Sequence, residues 1–354
     1  MLDYRKVILE KFLDNKELVE NMMNCDHAEP GEHNPYHLEG DVWTHTMMVY
    51  SHADNYNSLI MALCHDIGKV LTRNVNNGKV TFYGHADASI QPTIDFLTYL
   101  LKTEILTKEM CEHFVWTCLN PMANHMLYYQ NLNKLKYFAD NSYLTELYFT
   151  NMASMDSKGS ISKSESVKGS NKDLVILPFE KRPFNPDFKT VYIYTGLPGS
   201  GKDYLASLTD TKIVSFDDIR VDHYKEMVNK SEWFLLGQDE IYNRAFIYCN
   251  EKKVDLNKIL KKRVIKHTDN GNNVSICNTS LTRKARRTLI NTLGPNKFNY
   301  VIKQVFTPTD VILKRNNSRD KFIPTNVIYD MMKKMTVATH FEDHINSIEY
   351  ILNL

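Results

Sequence analysis

The segment Val191–Lys202, VYIYTGLPGSGK, joins a β-branched and aromatic run to Gly196-x4-Gly201-Lys202. Strand, glycine-rich turn and helix-forming stretch in that order make the P-loop pattern. The residue types follow from the chemistry. Glycines let backbone N–H groups close around a phosphate, the next helix N-terminus favours the anion, and the lysine reaches the outer phosphates. Gly196, Gly199, Ser200, Gly201 and Lys202 are therefore candidate ligands of ATP or another nucleoside triphosphate, with Asp203 next in line. Strand KIVSF then runs into Asp217-Asp218-Ile219-Arg220. A carboxylate at the end of a second strand is placed to take a proton from an acceptor hydroxyl. An arginine three residues on can hold an acceptor phosphate. No NKxD guanine-specificity motif occurs. Further on, Arg315 and Arg319 stand one helical turn apart and face the same side. Over a triphosphate, such a pair acts as a lid on the transferring group.

A second chemistry lies in the N-terminal half. His65-Asp66 sits in LIMALCHDIGKV, an apolar helix pattern, where such a pair is costly unless it binds something. His45 lies one helix earlier, and Asp156 falls at the end of a later helix. Nitrogen and oxygen ligands from separate helices make a divalent-metal site. Lys69, one turn after the pair, reads either as a neutralising partner for a phosphate oxygen or as an exposed helix lysine. His37 reads as a loop histidine, either touching substrate or without a role. His27, His33 and His52 read as surface residues.

These residues need two kinds of scaffold. A length of 354 residues suggests two domains, and 43% hydrophobic with 24% charged residues is a globular composition. Residues 161–189 read as a connector, first polar and rich in Ser and Lys, then interrupted by prolines. Before it, over residues 1–160, apolar residues recur at helical spacing and predict an all-α domain. MLDYRKVILEKFLDNKEL at its start reads as an amphipathic helix. After it, over residues 190–354, strand runs VYIYT, KIVSF and NVSIC alternate with helices. That predicts an α/β domain, a parallel sheet flanked by helices. A net charge of +1 gives no global field for nucleic acid, and no apolar run is long enough for a bilayer. Six cysteines without a CxxC pair read as reduced thiols, which suits the cytoplasm.

The N-terminal motifs, HLEGDVWTHTMMV, CHDIGK, GHADAS, NHM and MDSKG, resemble the HD phosphohydrolase superfamily. The first is similar to the HD domain of bacterial CCA-adding enzymes. The resemblance covers about residues 30–160 and implies two divalent metals (Mn, Fe, Ni, Co or Mg). It makes His45, His65, Asp66 and Asp156 ligands of one, and Asp66, His85 and His125 ligands of the other. His113, close by, is an alternative to His125. Residues 190–340, through GLPGSGK, DDIR and RNNSR…P…MMKKM, resemble the 5′-kinase domain of phage polynucleotide kinase. That resemblance implies ATP with Mg²⁺ on Lys202, Asp217 as general base, Arg220 on the phosphate beside the 5′-hydroxyl, and Arg315 and Arg319 as lid, Arg319 stabilising the transition state. Two positions depart from the pattern: Asp203 replaces the usual Ser or Thr, and Asn278-Thr279 replaces an Asp-Thr pair. Together the halves resemble bifunctional end-healing enzymes of nucleic-acid repair. Their expected partners are nucleic-acid ends, RNA rather than DNA, and a ligase acting after them, with no membrane. The expected place is the cytoplasm, that of the host if the chain is phage-encoded.

Overall fold

The computed structural model describes residues 3–34, 37–126, 143–161, 182–319, 321–339 and 342–354. Residues 162–181 of the expected connector lie outside the described residues. The chain divides into two compact units: residues 1–180 with 332–341 and Leu354, and residues 181–331 with 342–353.

The first unit is helical. Its elements are α1 (Tyr4–Leu13), α2 (Lys16–Met23), α3 (Val42–Ser51), α4 (Tyr56–Cys64), α5 (Lys69–Thr72), α6 (His85–Ala88), α7 (Ile90–Lys102), α8 (Lys108–Thr117), α9 (Leu119–Asn124) and α10 (Tyr143–Gly159). The amphipathic stretch at the start is two helices. The Asn15 side chain accepts the Leu18 N–H, which starts α2 afresh just after α1 has closed. Every residue from Asn57 to Cys64 is buried, so α4 is the spine against which α1, α3 and α10 pack. A helix apolar on all sides belongs in a core. A short antiparallel hairpin, β1 (Asn74–Asn76) and β2 (Lys79–Thr81), adds to the helices. Asn77 and Gly78 turn it with φ of 50° and 73°, the left-handed pair that a two-residue hairpin needs.

The His65-Asp66 pair does not sit within the helix. α4 ends at Cys64, and residues 65–68 form turns before α5. Ser89 causes the break. Its Oγ accepts the Gly68 N–H at 2.8 Å and lies 2.8 Å from the His65 carbonyl. A Cβ on Gly68 would lie 2.0 Å from the His85 carbonyl oxygen, so α6 approaches this closely only over glycine.

The second unit carries β3 (Thr190–Thr195), α11 (Lys202–Ser207), β4 (Lys212–Val214), α12 (Phe216–Met227), α13 (Gln238–Glu251), α14 (Leu256–Asp269), β5 (Val274–Cys277), α15 (Arg283–Leu293), β6 (Asn299–Phe306), α16 (Thr309–Asn317), α17 (Thr325–Lys334) and β7 (Ser347–Leu352). Among the described residues the strands form one parallel sheet in the order β4-β5-β3-β6-β7. β5 and β6 are buried along nearly their whole length, as strands covered on both faces must be. The order puts β3 at the centre, with its carboxyl end where ligands of open α/β sheets bind. α11 seats Ala206 on Tyr194, Cys277 and Val305, fixing the helix that follows the glycine-rich turn. No helix among the described residues is long and apolar enough to cross a membrane.

One buried ion pair holds the loop after β5. Arg286 meets Glu342 through Nε–Oε2 at 2.8 Å and Nη2–Oε1 at 2.5 Å. Its Nη1 donates to the carbonyls of Ser280 and Leu281 at 3.2 and 3.0 Å. Arg286→Met leaves the Glu342 charge buried without that partner and should cost about 3–5 kcal/mol in urea unfolding of this unit. Adding Glu342→Leu should restore much of the loss. Equal midpoints for single and double variants would assign the cost to packing instead.

Candidate functional site

In the first unit, α3, the turn after α4, α6, α9 and α10 deliver the expected histidines and aspartates to one buried place. His45 Nε2 lies 3.3 Å from His65 Nε2, 3.3 Å from Asp66 Oδ2 and 3.2 Å from Asp156 Oδ1. On the other side of the same carboxylate, His85 Nε2 lies 3.2 Å from Asp66 Oδ1. Ligand atoms of His45, His65 and Asp66 fall within 4.8 Å of one another, and so do those of Asp66, His85 and His125. His113 is in neither group; it lies half-buried on α8.

The far nitrogens explain the orientation. Nδ1 of His65, His85 and His125 lies 2.9, 2.8 and 2.7 Å from the carbonyls of Ala62, Phe82 and Met122. Nδ1 of His45 lies 2.8 Å from Glu39 Oε1. The rings of His65, His85 and His125 thus spend their N–H on an outer acceptor and turn the Nε2 lone pair inward, as metal-binding imidazoles do. Asp66 Oδ1 and His85 Nε2 are buried without a hydrogen-bond partner among the described residues. Two lone-pair atoms facing each other at this separation suit a shared cation, so the residues present fit divalent metals. Burial opposes the charge on Asp66, yet His65, Lys69 and His85 hold its carboxyl well below the usual range. Burial likewise opposes the charge on His45, but Asp156 and Glu39 push it up to about 9, so a metal at its Nε2 would have to displace a proton. Burial pushes His125 down to about 4, leaving a neutral ligand.

Lys69 stands at the edge of this centre, 2.7 Å from Asp66 Oδ2 and almost fully buried. His27, expected at the surface, is fully buried beside it, because its Nδ1 bonds the Gly40 carbonyl and its Nε2 faces the lysine. His33 and His52 are exposed. The sequence reading missed Glu39. Its Oε1 serves both His37 and His45, at 2.7 and 2.8 Å, and its Oε2 accepts the Ile161 N–H.

In the second unit, Gly196, Gly199 and Gly201 carry φ of 155°, 82° and 85°. Cβ atoms there would meet the Val305 carbonyl at 2.6 Å, the Ile312 carbonyl at 3.1 Å and the Asn353 amide at 2.5 Å. Lys202 is buried, and its Nζ donates to the carbonyls of Gly196 and Leu197 at 2.9 and 2.7 Å and to Ser200 Oγ at 3.3 Å. Burial lowers its pKa to about 8, with the Asp203 carboxylate opposing. Asp203 itself is exposed in the first turn of α11. Arg315 Nη1 donates to the Gly199 carbonyl at 3.3 Å, so this arginine lies against the loop. Burial pulls Arg319 down while Asp217 and Asp203 oppose it.

The two adjacent aspartates differ. Ser215 caps α12 by accepting the Asp218 N–H at 3.1 Å, and its hydroxyl donates to Asp218 Oδ2 at 2.7 Å. Asp218 is thus engaged in the cap. Asp217 Oδ1 accepts from Arg220 Nη1 at 3.0 Å, and its Oδ2 meets Lys321, a partner that the sequence reading did not single out. Asn278 Oδ1 accepts the Phe216 N–H at 2.9 Å and so fixes the start of α12.

Among solved structures, the chain is similar to a chain of a Pnkp1/Rnl/Hen1 RNA repair complex, with TM-score 0.32 and 21% identity over 42% of this chain and 45% of that one. It is also similar to a sugar kinase from Janibacter sp. HTCC2649, with TM-score 0.31 and 17% identity over 47% of this chain and 85% of that one. A gluconokinase from Sinorhizobium meliloti 1021 matches with TM-score 0.28 and 15% identity, over 47% and 83%. The match spans less than half of the repair-complex chain. No family model and no curated protein matches. At these scores the likenesses assign no activity.

Two outcomes follow from the second unit. Bound phosphates should return the Lys202 pKa upward from about 8. Below that pH the free lysine already carries its proton, and binding is insensitive to it. Above it, binding must take up a proton, so ATP affinity should fall about tenfold per pH unit. Calorimetry across pH 6.5 to 9.5 reads this; a slope that survives in Lys202→Met belongs to another group. Second, on the expectation that Asp217 is the general base, Asp217→Asn should lower kcat by about 10²–10⁴ with ATP affinity kept, since a base acts on the acceptor. A greater kinetic loss in Asp218→Asn would move the base to its neighbour.

Proposed function

We propose that this chain heals nucleic-acid ends, RNA rather than DNA. The second unit would phosphorylate 5′-hydroxyl ends from an NTP. The first would remove 2′,3′-cyclic, 2′- or 3′-phosphate ends. The observation that carries the reading is the pairing, in one chain, of a carboxylate-bridged imidazole cage with a P-loop beside an aspartate that Arg220 and Lys321 hold. A broken RNA often ends in a cyclic phosphate and a 5′-hydroxyl, and a ligase needs the opposite arrangement. One chain with both activities prepares both ends for a ligase.

In the hydrolase half, His45, His65, Asp66 and Asp156 would hold one divalent ion, and Asp66, His85 and His125 another. Such a pair supplies an activated hydroxide and Lewis-acid stabilisation of the phosphoryl group. Lys69 neutralises a phosphoryl oxygen. In the kinase half, Asp217 takes the proton of the 5′-hydroxyl, and Arg220, now 3.0 Å from it, turns to the neighbouring acceptor phosphate. Lys202 exchanges loop carbonyls for donor phosphates. Arg315 and Arg319 close over the transferring group, with ATP and Mg²⁺ between them and the loop. The exposed Asp203 carboxylate stands where a hydroxyl usually faces Mg²⁺.

The direct test gives the protein ATP with a 5′-hydroxyl RNA, a matched DNA and a free nucleoside, and separately an RNA ending in a cyclic phosphate. Kinase activity on the nucleoside alone would replace this reading with a nucleotide-level one. No transfer to any acceptor would leave an end-binding protein with a degenerate kinase. Asp66→Ala should abolish phosphate release and spare 5′ phosphorylation; release that persists in this variant or in metal-free protein contradicts the two-metal centre. Asp203→Ser should bind ATP more tightly than the unsubstituted chain when Mg²⁺ is scarce, because it removes a negative charge beside the phosphates. Identical Mg²⁺ dependence would mean that Asp203 points away from the nucleotide.

A further inference from the structure

We propose that His27 is a positioning residue that fixes the Lys69 ammonium as a third positive centre for a phosphoryl oxygen, and that His37 holds the N–H which that oxygen takes over. The inference rests on the phosphohydrolase reading of the first unit. Lys69 Nζ has three N–H groups and three acceptors: Asp66 Oδ2 at 2.7 Å, His27 Nε2 at 3.0 Å and His37 Nε2 at 3.3 Å. The two rings stack, with centroids 4.3 Å and planes 14° apart. Their Nδ1 atoms face acceptors, the Gly40 carbonyl and Glu39 Oε1, each at 2.7 Å. Nδ1 therefore carries the proton on each ring, and Nε2 offers the lysine a lone pair.

The choice of acceptor matters. A second carboxylate, beside Asp66, would hold the ammonium and leave it in net negative surroundings. An imidazole acceptor holds it and leaves the charge for a ligand. Glu39, the carboxylate nearest to both rings, turns its oxygens to His37, His45 and the Ile161 N–H. His27 is fully buried, whereas the His37 side chain is 18% exposed and makes the longest of the three contacts. An arriving phosphoryl oxygen takes the N–H now directed at His37, while His27 and Asp66 keep the ammonium in place.

The test uses the full chain loaded with Mn²⁺ and reads inorganic phosphate binding by calorimetry beside metal content. His27→Leu should weaken phosphate binding about tenfold, the loss expected for one hydrogen bond to a charged group, with metal content unchanged. His37→Leu removes only the contact that phosphate replaces and should not weaken binding. His27→Gln offers an oxygen near the place of Nε2 and should stay within about threefold of the unsubstituted chain. In a Lys69→Met background, His27→Leu should add no further loss, since both act through one ammonium. Phosphate binding unchanged in His27→Leu overturns the proposal. So does a full additional loss in the Lys69→Met background, a loss in His27→Gln equal to that in His27→Leu, or a loss in His37→Leu as large as that in His27→Leu. If the loaded chain releases no phosphate from any RNA end, the hydrolase reading fails, while the His27–Lys69 cycle still reads the positioning.

Discussion

The first unit is organised around one buried carboxylate. Burial raises the free energy of an ionised Asp66, and the fold sets His65, Lys69 and His85 against it. His45 and His65 face one oxygen, His85 faces the other, and Lys69 closes the third direction. Bringing them there needs helices from distant parts of the sequence, because no single helix presents more than two of these groups. The break after Cys64 follows from the same demand. Had α4 continued straight through His65 and Asp66, the Ser89 hydroxyl could not bridge Gly68 and His65, and α6 would not bring His85 so close.

The second unit meets a related problem with different means. A buried ammonium on Lys202 needs acceptors when no phosphate is near, and the glycine-rich turn provides its own carbonyls. Those carbonyls can come inward because Gly196 and Gly199 adopt backbone conformations that side chains disfavour. Asp203 lowers the cost of the buried charge from outside the turn, which is the opposite of its effect on an incoming triphosphate. The departure from the usual hydroxyl therefore has two consequences of opposite sign, one for the empty loop and one for the filled one.

Motifs that act through local geometry were legible in the sequence. The glycine turn, the strand before it and the DDIR start of α12 are contiguous, and their spacing alone places them. His45 and His65 could be read with Asp66 and Asp156 as ligands from separate helices, whereas His85 and His125 joined them only through a family pattern, since that convergence is tertiary. The hairpin at Asn77-Gly78 carried a plain local signal, an Asn-Gly turn between short runs, but the runs are too short to stand out against the surrounding helices. His27, Glu39 and Lys321 were not legible. Each earns its place through a partner far along the chain: Lys69 for His27, His45 for Glu39, Asp217 for Lys321. A polar residue in a loop gives no sign of whether it will be buried against such a partner.

Both lysines, Lys69 and Lys202, are buried and fully provided with acceptors, yet the acceptors differ in kind. Lys202 rests on carbonyls of the glycine-rich turn, contacts that a triphosphate can replace all at once. Lys69 rests on one carboxylate and two rings whose own far nitrogens are anchored. Only its contact to the half-exposed His37 is open to exchange. The difference suits the two ligands proposed for them. A triphosphate is large, brings its own Mg²⁺ and must leave as a diphosphate, so its lysine has to change partners in every turnover. A terminal phosphate bound at metal ions needs a charge that stays still, because catalysis by electrostatic preorganisation gains nothing from a donor that must first be moved into place.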